Sequence, residues 1–299
     1  VDIAHAGTAM RFLTAYFAIQ ENKTTTLTGS KRMQERPIKV LVDALLEIGA
    51  TIEYLKKEGY PPLLIKGKKL TKNKVSIRGD VSSQYISALL LIAPTFQNGF
   101  ELELAGKVTS IPYITMTLTL LNSIGIHTEF NDKKIIVAQY KNLQLKSKTY
   151  IVEPDWSSAS YYYSLVALQA NSKIELIGFK QKSLQGDGVL PKIYKYLGVQ
   201  TVFHDKGISI INNPFRDTQI RYLNLDFDLN NTPDLAQTIA VTCLGLGIDC
   251  HLKGLHTLKI KETDRLQALK NELEKFGAKV TLTAASLCLK SPEQLVPNR

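Results

Sequence analysis

Apolar positions along the chain fall into two helical patterns, each interleaved with short strand patterns. The first pattern has an apolar residue every third or fourth position, then a glycine, then alternating apolar and polar residues: LVDALLEIGATIEYL, MTLTLLNSIGIHTEF, LPKIYKYLGVQTVF and LQALKNELEKFGAKVTL. A period near 3.6 predicts a helix and alternation predicts a strand. The glycine between them takes the left-handed conformation that stops a helix. These glycines are Gly49, Gly125, Gly198 and Gly277, spaced 76, 73 and 79 residues apart, so the chain contains an internal repeat.

The second pattern is more apolar all round and opens with small or polar residues: GTAMRFLTAYFAIQ, SSQYISALLLIAP, SSASYYYSLVALQA and NNTPDLAQTIAVTCLGLG. Thr8, Ser83, Ser158 and Pro233 follow one another at intervals of 75 residues. Each unit thus holds two helices and several strands, which predicts an α/β fold of repeated βαβ-type modules. The apolar helices are expected inside each domain and the amphipathic ones outside. Capping accounts for any single polar opening. Four at one spacing point further, because repeats packed about a common axis bring equivalent helix N-termini together, and converging amide groups make an anion site. Tyr161, Tyr162 and Tyr163 turn to different sides of their helix and are read as packing, not as a base-stacking platform.

With 299 residues, 44% of them apolar, the chain can bury two cores, and the expected division is 1–152 and 153–299. The formal charge of +10 is scattered, with no basic tail, which favours small anionic ligands over a nucleic-acid footprint. The three cysteines, Cys243, Cys250 and Cys288, form no CxxC, and two of them sit in apolar surroundings that suit reduced core thiols. No stretch has the length of a membrane span, and the first residues lack a signal-peptide pattern. A soluble cytoplasmic protein is expected. Both ends fall in mid-pattern, so the sequence is read as a fragment.

Three arginines change the picture. Arg11 is expected in the first turn of the helix opened by Gly7 and Thr8, Arg36 just before Pro37 at the first position of another helix, and Arg265 in the first turn after Thr263 and Asp264. A cation there opposes the helix dipole by about 0.3–1 kcal/mol, so three such placements ask for an anion. Each could instead bend back to a nearby carboxylate. Lys261, four residues before Arg265, can join the cluster, which then suits phosphate and carboxylate ligands. Asp234 and Glu262 stand beside these cations; either has a plain structural reading, as a helix starter or an ion-pair partner, and as a pair they offer general acid and base. The sequence has no P-loop, no dinucleotide-binding glycine pattern and no HExxH, and no metal is assigned to its five histidines.

HAGTAMR (His5 to Arg11), MQERPIKVLVDAL (Met33 to Leu45), SSQYISALL (Ser82 to Leu90), SIPYITMTL (Ser110 to Leu118), PDWSSASYY (Pro154 to Tyr162), NTPDLAQTIA (Asn231 to Ala240) and KETDRLQAL occur in this order over nearly the whole chain. Together they resemble the successive motifs of the 5-enolpyruvylshikimate-3-phosphate synthase family. The resemblance implies the two-domain enolpyruvyl transferase fold, with βαβαββ units about a pseudo-threefold axis in each domain. The first domain would bind shikimate phosphate and lack its N-terminal part, and the second would lack its C-terminal part. The implied reaction moves the enolpyruvyl group of phosphoenolpyruvate to the 5-hydroxyl of shikimate 3-phosphate, through a tetrahedral intermediate that loses phosphate.

Carried over by position, Ser82, Ser83, Gln84, Ser110, Tyr113, Asp234 and Lys261 resemble the shikimate-phosphate contacts, and Gly7, Arg36, Gln84 and Arg265 the phosphoenolpyruvate contacts. Thr8 and Arg11 join the substrate-binding set from their place at the first helix. Asp234, Glu262 and Lys261 are the expected catalytic residues: Asp234 deprotonates the attacking hydroxyl, and Glu262 exchanges a proton with the methylene carbon. No cofactor is implied, and the expected protein is a monomer without nucleic-acid or membrane partner. As a family property, the resemblance also implies sensitivity to glyphosate, which Gly7→Ala would lower.

The sequence departs from the family pattern where His5 and Thr257 replace asparagines and Phe12 replaces a common proline. The family's N-terminal Lys-Ser segment and its C-terminal Asp-His-Arg segment have no counterpart, so this chain is expected to turn over poorly by itself. Two rivals remain. A transferase acting on UDP-N-acetylglucosamine would carry a reactive cysteine on a mobile loop, and a basic RNA-binding module would interleave aromatics with Lys and Arg.

Overall fold

The computed structural model describes residues 1–139, 149–212 and 224–296. Contacts divide the chain into two compact units, Val1–Thr149 and Tyr150–Arg299. In the first, α1 (Gly7–Ala18), β1 (Thr24–Leu27), α2 (Lys39–Glu47), β2 (Thr51–Tyr54) and β3 (Leu63–Lys66) form one module, whose antiparallel sheet has the order β1-β3-β2. A second module follows: β4 (Lys74–Arg78), α3 (Ser83–Ile92), β5 (Phe100–Ala105), α4 (Ile111–Ser123), β6 (Thr128–Asn131) and β7 (Lys134–Val137). Its sheet runs β4-β5-β7-β6, with β4 and β5 parallel across the α3 crossover, so the βαβαββ order is complete. A parallel bridge from Asp2 to Thr28 occupies the place of the corresponding strand before α1.

The second unit repeats the plan. Here α5 (Trp156–Leu168), β8 (Lys173–Ile177), α6 (Leu190–Lys195), β9 (Val199–His204) and β10 (Gly207–Asn212) build a sheet of order β8-β10-β9. Then come β11 (Asn224–Asp228), α7 (Ala236–Leu246), β12 (Asp249–Lys253), α8 (Arg265–Glu274), β13 (Lys279–Leu282) and β14 (Ser286–Lys290), in a sheet of order β11-β12-β14-β13 with β11 and β12 parallel.

The four stop glycines have φ of +104°, +90°, +80° and +90° at Gly49, Gly125, Gly198 and Gly277. Only glycine takes such angles without strain, which is why the helix-to-strand reversal sits there each time.

The expected burial of the apolar helices holds for α3, which packs against α1, α2 and α4 and buries eight of its ten residues. It fails for part of α5. Tyr163 is fully buried, but Tyr161 is 64% exposed, and Tyr162, Leu165 and Leu168 on the same side are exposed as well. A helix is buried all round only when every side has a neighbour; within its unit α5 packs on α6, α7 and the β8-β10-β9 sheet, and these leave one face open.

Two helix starts also differ from expectation. Arg11 lies in the second turn of α1, not the first. Pro37 precedes the helix, since α2 begins at Lys39 after Ile38, whose amide is bonded to the Gly59 carbonyl.

Candidate active site

In the first unit the expected residues gather around the starts of α1 and α3. No side chain caps α1, and no acid lies in its first turn. The Ser82 hydroxyl caps α3, accepting from the Gln84 amide, and Gln84 Nε2 donates to Thr8 Oγ1 at 3.0 Å, tying the two starts together. Gly7 opens α1 beneath the arginines: a Cβ built there would lie 2.5 Å from Arg36 Nη1 and 3.0 Å from Arg11 Nη1. Both arginines are buried, at 3% and 6% exposure for Arg11 and Arg36.

Arg11 donates to the Gly7 carbonyl at 3.0 Å and to the Pro37 carbonyl at 3.4 Å, and its guanidinium sits 5.6 Å from the centre of the Tyr85 ring. No carboxylate among the described residues pairs with it. It therefore braces the Arg36 loop against α1 and adds positive potential there. Tyr85 does the same from α3, through its hydroxyl on the Pro37 carbonyl at 2.6 Å.

Ser110 stands just before α4 in a left-handed conformation, φ 53°, makes no side-chain cap and is buried like Ser83. The neighbouring Thr109 donates its amide to the Gly79 carbonyl and its hydroxyl to the Val81 carbonyl, so the loops before α3 and α4 are laced together. Tyr113 lies in the first turn of α4. Among the described residues of this unit, none of the four α-helices has an acid in its first turn. Amide groups, hydroxyls and two arginines are donors of the kind that take an anion.

The helix starts of the second unit carry acids instead. Asp155 caps α5 and Asp264 caps α8, each through backbone amides, while Asp234 sits in the 3-10 turn Pro233–Leu235 that leads into α7. Asp234 is the hub of a compact ion cluster. Its Oδ1 lies 2.7 Å from Arg265 Nη1 and 3.3 Å from Lys261 Nζ, and Arg265 Nη2 reaches Glu262 Oε2 at 2.6 Å. Lys261 gets there from an extended position after the 3-10 turn His256–Ile260. The two cations are thus answered by the chain's own two carboxylates. The first unit differs in that no acid lies in the first turn of α1.

The departures have clear places. His5 is exposed, with Nδ1 2.9 Å from Ser30 Oγ, which joins the entry of α1 to the loop that carries Arg36. Thr257 is buried, and its hydroxyl has no hydrogen-bond partner among the described residues. Phe12 is half-buried against the core of its unit. Sequence reasoning passed over Tyr85 and Thr109. Their signal was only that Tyr85 lies inside SSQYISALL and Thr109 directly precedes SIPYITMTL, because a brace is recognised by what it touches.

The described residues include no group of three His, Cys, Asp or Glu placed to hold a metal, and no helix long and apolar enough to cross a membrane. Solved structures share the fold. EPSP synthase from Acinetobacter baumannii matches 98% of this chain and 65% of its own, with a TM-score of 0.70 at 19% identity. The enolpyruvyl transferase NikO from Streptomyces tendae matches 93% and 62%, with a TM-score of 0.63 at 14% identity. The fold is therefore that of the enolpyruvyl transferases.

The sequence profile of EPSP synthase (3-phosphoshikimate 1-carboxyvinyltransferase) matches residues 1–297, and the chain belongs to this family. A 3-phosphoshikimate 1-carboxyvinyltransferase of Bacteroides fragilis (strain YCH46) is 46% identical over 277 residues, 93% of this chain and 66% of that protein. Another, of Mannheimia haemolytica, is 38% identical over 281 residues, 93% and 63% of the two chains. The chain spans just under two thirds of the length of these relatives.

Proposed function

We propose that this chain serves the transfer of the enolpyruvyl group from phosphoenolpyruvate to the 5-hydroxyl of shikimate 3-phosphate. In that reading the hydroxyl oxygen bonds to C2 of phosphoenolpyruvate while C3 gains a proton. Loss of phosphate and of a C3 proton from the tetrahedral adduct then restores the enol ether. Asp234 takes the hydroxyl proton and Glu262 exchanges the C3 proton, both carboxylates being held on Arg265. Lys261 and Arg265 leave their carboxylate partners in part for the anionic groups of the substrates. The first unit holds phosphate and carboxylate through Ser82, Ser83, Gln84, Ser110, Arg36 and the start of α1, with Tyr113 beside them, and Thr257 offers its hydroxyl to the sugar-like ring. The observation that carries the reading is Asp234 gripped by Lys261 and Arg265, with Glu262 on the same arginine, in a member of this family. A cytoplasmic monomer without nucleic-acid or membrane partner belongs to the same proposal.

Calorimetry with shikimate 3-phosphate tests it, beside UDP-N-acetylglucosamine and a filter-binding series with RNA. Heat with shikimate 3-phosphate that disappears in Asp234→Ala is the expected result, together with slow phosphate release when both substrates are present. Binding of UDP-N-acetylglucosamine or RNA in its place would overturn the reading.

A further inference from the structure

The approach to α1 is a strained corner. The Ala6 amide donates to the Ile3 carbonyl at 3.0 Å, closing a four-residue turn in which Ala4 has φ +48°. An alanine in this left-handed region costs about 1–2 kcal/mol, so its neighbours must hold it there. The Ala4 amide donates to Asp2 Oδ1 at 2.8 Å, and the Ala4 carbonyl accepts from the Ser30 amide at 2.9 Å. Gly29 allows that approach, since a Cβ there would lie 2.7 Å from the Ala4 carbonyl oxygen.

His5 is the next residue of the turn, and its bond to Ser30 Oγ completes the clamp. Ser30 is the joint between two segments. Its Oγ also accepts from the Met33 amide at 3.2 Å, and its carbonyl accepts from the Gln34 amide at 3.0 Å, which opens the 3-10 turn Met33–Glu35. The Met33 carbonyl in turn accepts from the Arg36 amide at 3.1 Å. Three hydrogen bonds therefore lead from the His5 ring to the backbone of Arg36, whose guanidinium crowds Gly7.

The chemistry of the tie follows from the groups in it. A hydroxyl has one hydrogen and two lone pairs, and the Met33 amide already takes one lone pair. The hydrogen suits Nδ1 of a neutral ring and the second lone pair suits Nδ1–H of a charged one, so the tie survives either state. Asparagine, the residue of the family pattern, carries Oδ1 the same number of bonds from its backbone and can accept from the same hydroxyl. Alanine cannot.

We propose that His5 is a positioning residue for anion binding at the start of α1: through Ser30 it fixes the turn that presents Arg36 to phosphoenolpyruvate. In this role it touches no reacting atom. The inference rests on the reaction proposed above and adds a residue to it. Ser82, Ser83 and Ser110, which hold shikimate 3-phosphate in that reading, take no part in this chain of bonds.

Calorimetry on the whole chain tests it, with shikimate 3-phosphate alone and then with phosphoenolpyruvate at saturating shikimate 3-phosphate. His5→Ala and Ser30→Ala are expected to weaken phosphoenolpyruvate about three- to tenfold, the range one hydrogen bond supplies, and to leave shikimate 3-phosphate within about twofold. The double variant should bind no more weakly than Ser30→Ala, because both changes cut one path, and His5→Asn should restore the parent's affinity. Parental affinity for phosphoenolpyruvate in a folded His5→Ala chain would overturn the inference and leave the reaction in place. So would losses that multiply in the double variant, or a His5→Asn chain as weak as His5→Ala. A parent that binds shikimate 3-phosphate but no phosphoenolpyruvate would remove the role of Arg36 and this inference with it; a parent that binds neither would overturn the reaction as well.

Discussion

Replacing Gly7 by alanine sets the anion site against the stability of α1. Gly7 is the first residue of the helix, where alanine is at least as good as glycine and gains up to about 1 kcal/mol of backbone entropy. The added methyl would meet Arg36 at 2.5 Å from Nη1 and 3.1 Å from Cζ. Ordinary contact needs about 3.5 Å, so the end of Arg36 must withdraw by roughly 1 Å. That shift breaks the alignment of one charge-assisted hydrogen bond to a bound anion, about 1.5–3 kcal/mol. Affinity for phosphoenolpyruvate, and for glyphosate in its place, should fall about ten- to a hundredfold. The melting temperature should stay within a few degrees or rise. Calorimetry in the presence of shikimate 3-phosphate reads the affinities, with Arg36→Lys as a second variant that removes the fork but leaves the charge. Equal binding of glyphosate by the parent and a folded Gly7→Ala variant would refute the assignment of this helix start as the anion site.

Two further outcomes concern the scaffold. On the β4-β5-β7-β6 sheet Glu101 forms ion pairs with Lys134 at 2.8 Å and Lys74 at 2.7 Å, and these lysines, Lys134 first, lower its pKa. A lowered carboxyl stabilises the fold above its unfolded value near 4.3, and that contribution is lost as pH falls through the folded value. Glu101→Gln should therefore be less stable than the parent at pH 7, with the gap closing below about pH 4; a gap constant down to pH 3 would exclude this cause. Gly125→Ala places a side chain at φ +90°. It should cost about 1–2 kcal/mol in urea unfolding with an unchanged m-value, and an unaltered midpoint would show that the stop is not strained for alanine.

Much of this was legible along the chain because it is local. The helix period, the alternation of strands and the stop glycines each involve a few neighbouring residues, and the repeat near 75 residues multiplied a weak signal by four. The helix start at Ser82, Ser83 and Gln84 was legible as well, since a capping serine before an apolar run marks it whatever packs around it. The exposed face of α5 was not, because the pattern YYYSLVAL records that a helix is apolar, not which of its sides has a neighbour. Nor was the true place of Arg11, whose burial depends on the Pro37 carbonyl and the Tyr85 ring, 26 residues and more away in sequence.

The sequence by itself determined the module: two helices and their strands, reversed at a glycine and repeated four times, with cations and acids set at particular helix starts. Tertiary structure decided which of those charges meet. It joined Asp234 to Lys261 and Arg265 across 27 and 31 residues, set Arg11 on the Pro37 carbonyl, and through strand register aligned Asp226, His251 and Cys288. Backbone periodicity is set by interactions over one or two turns, whereas side chains from distant modules come within a few ångströms only when packing and register fix both backbones at once.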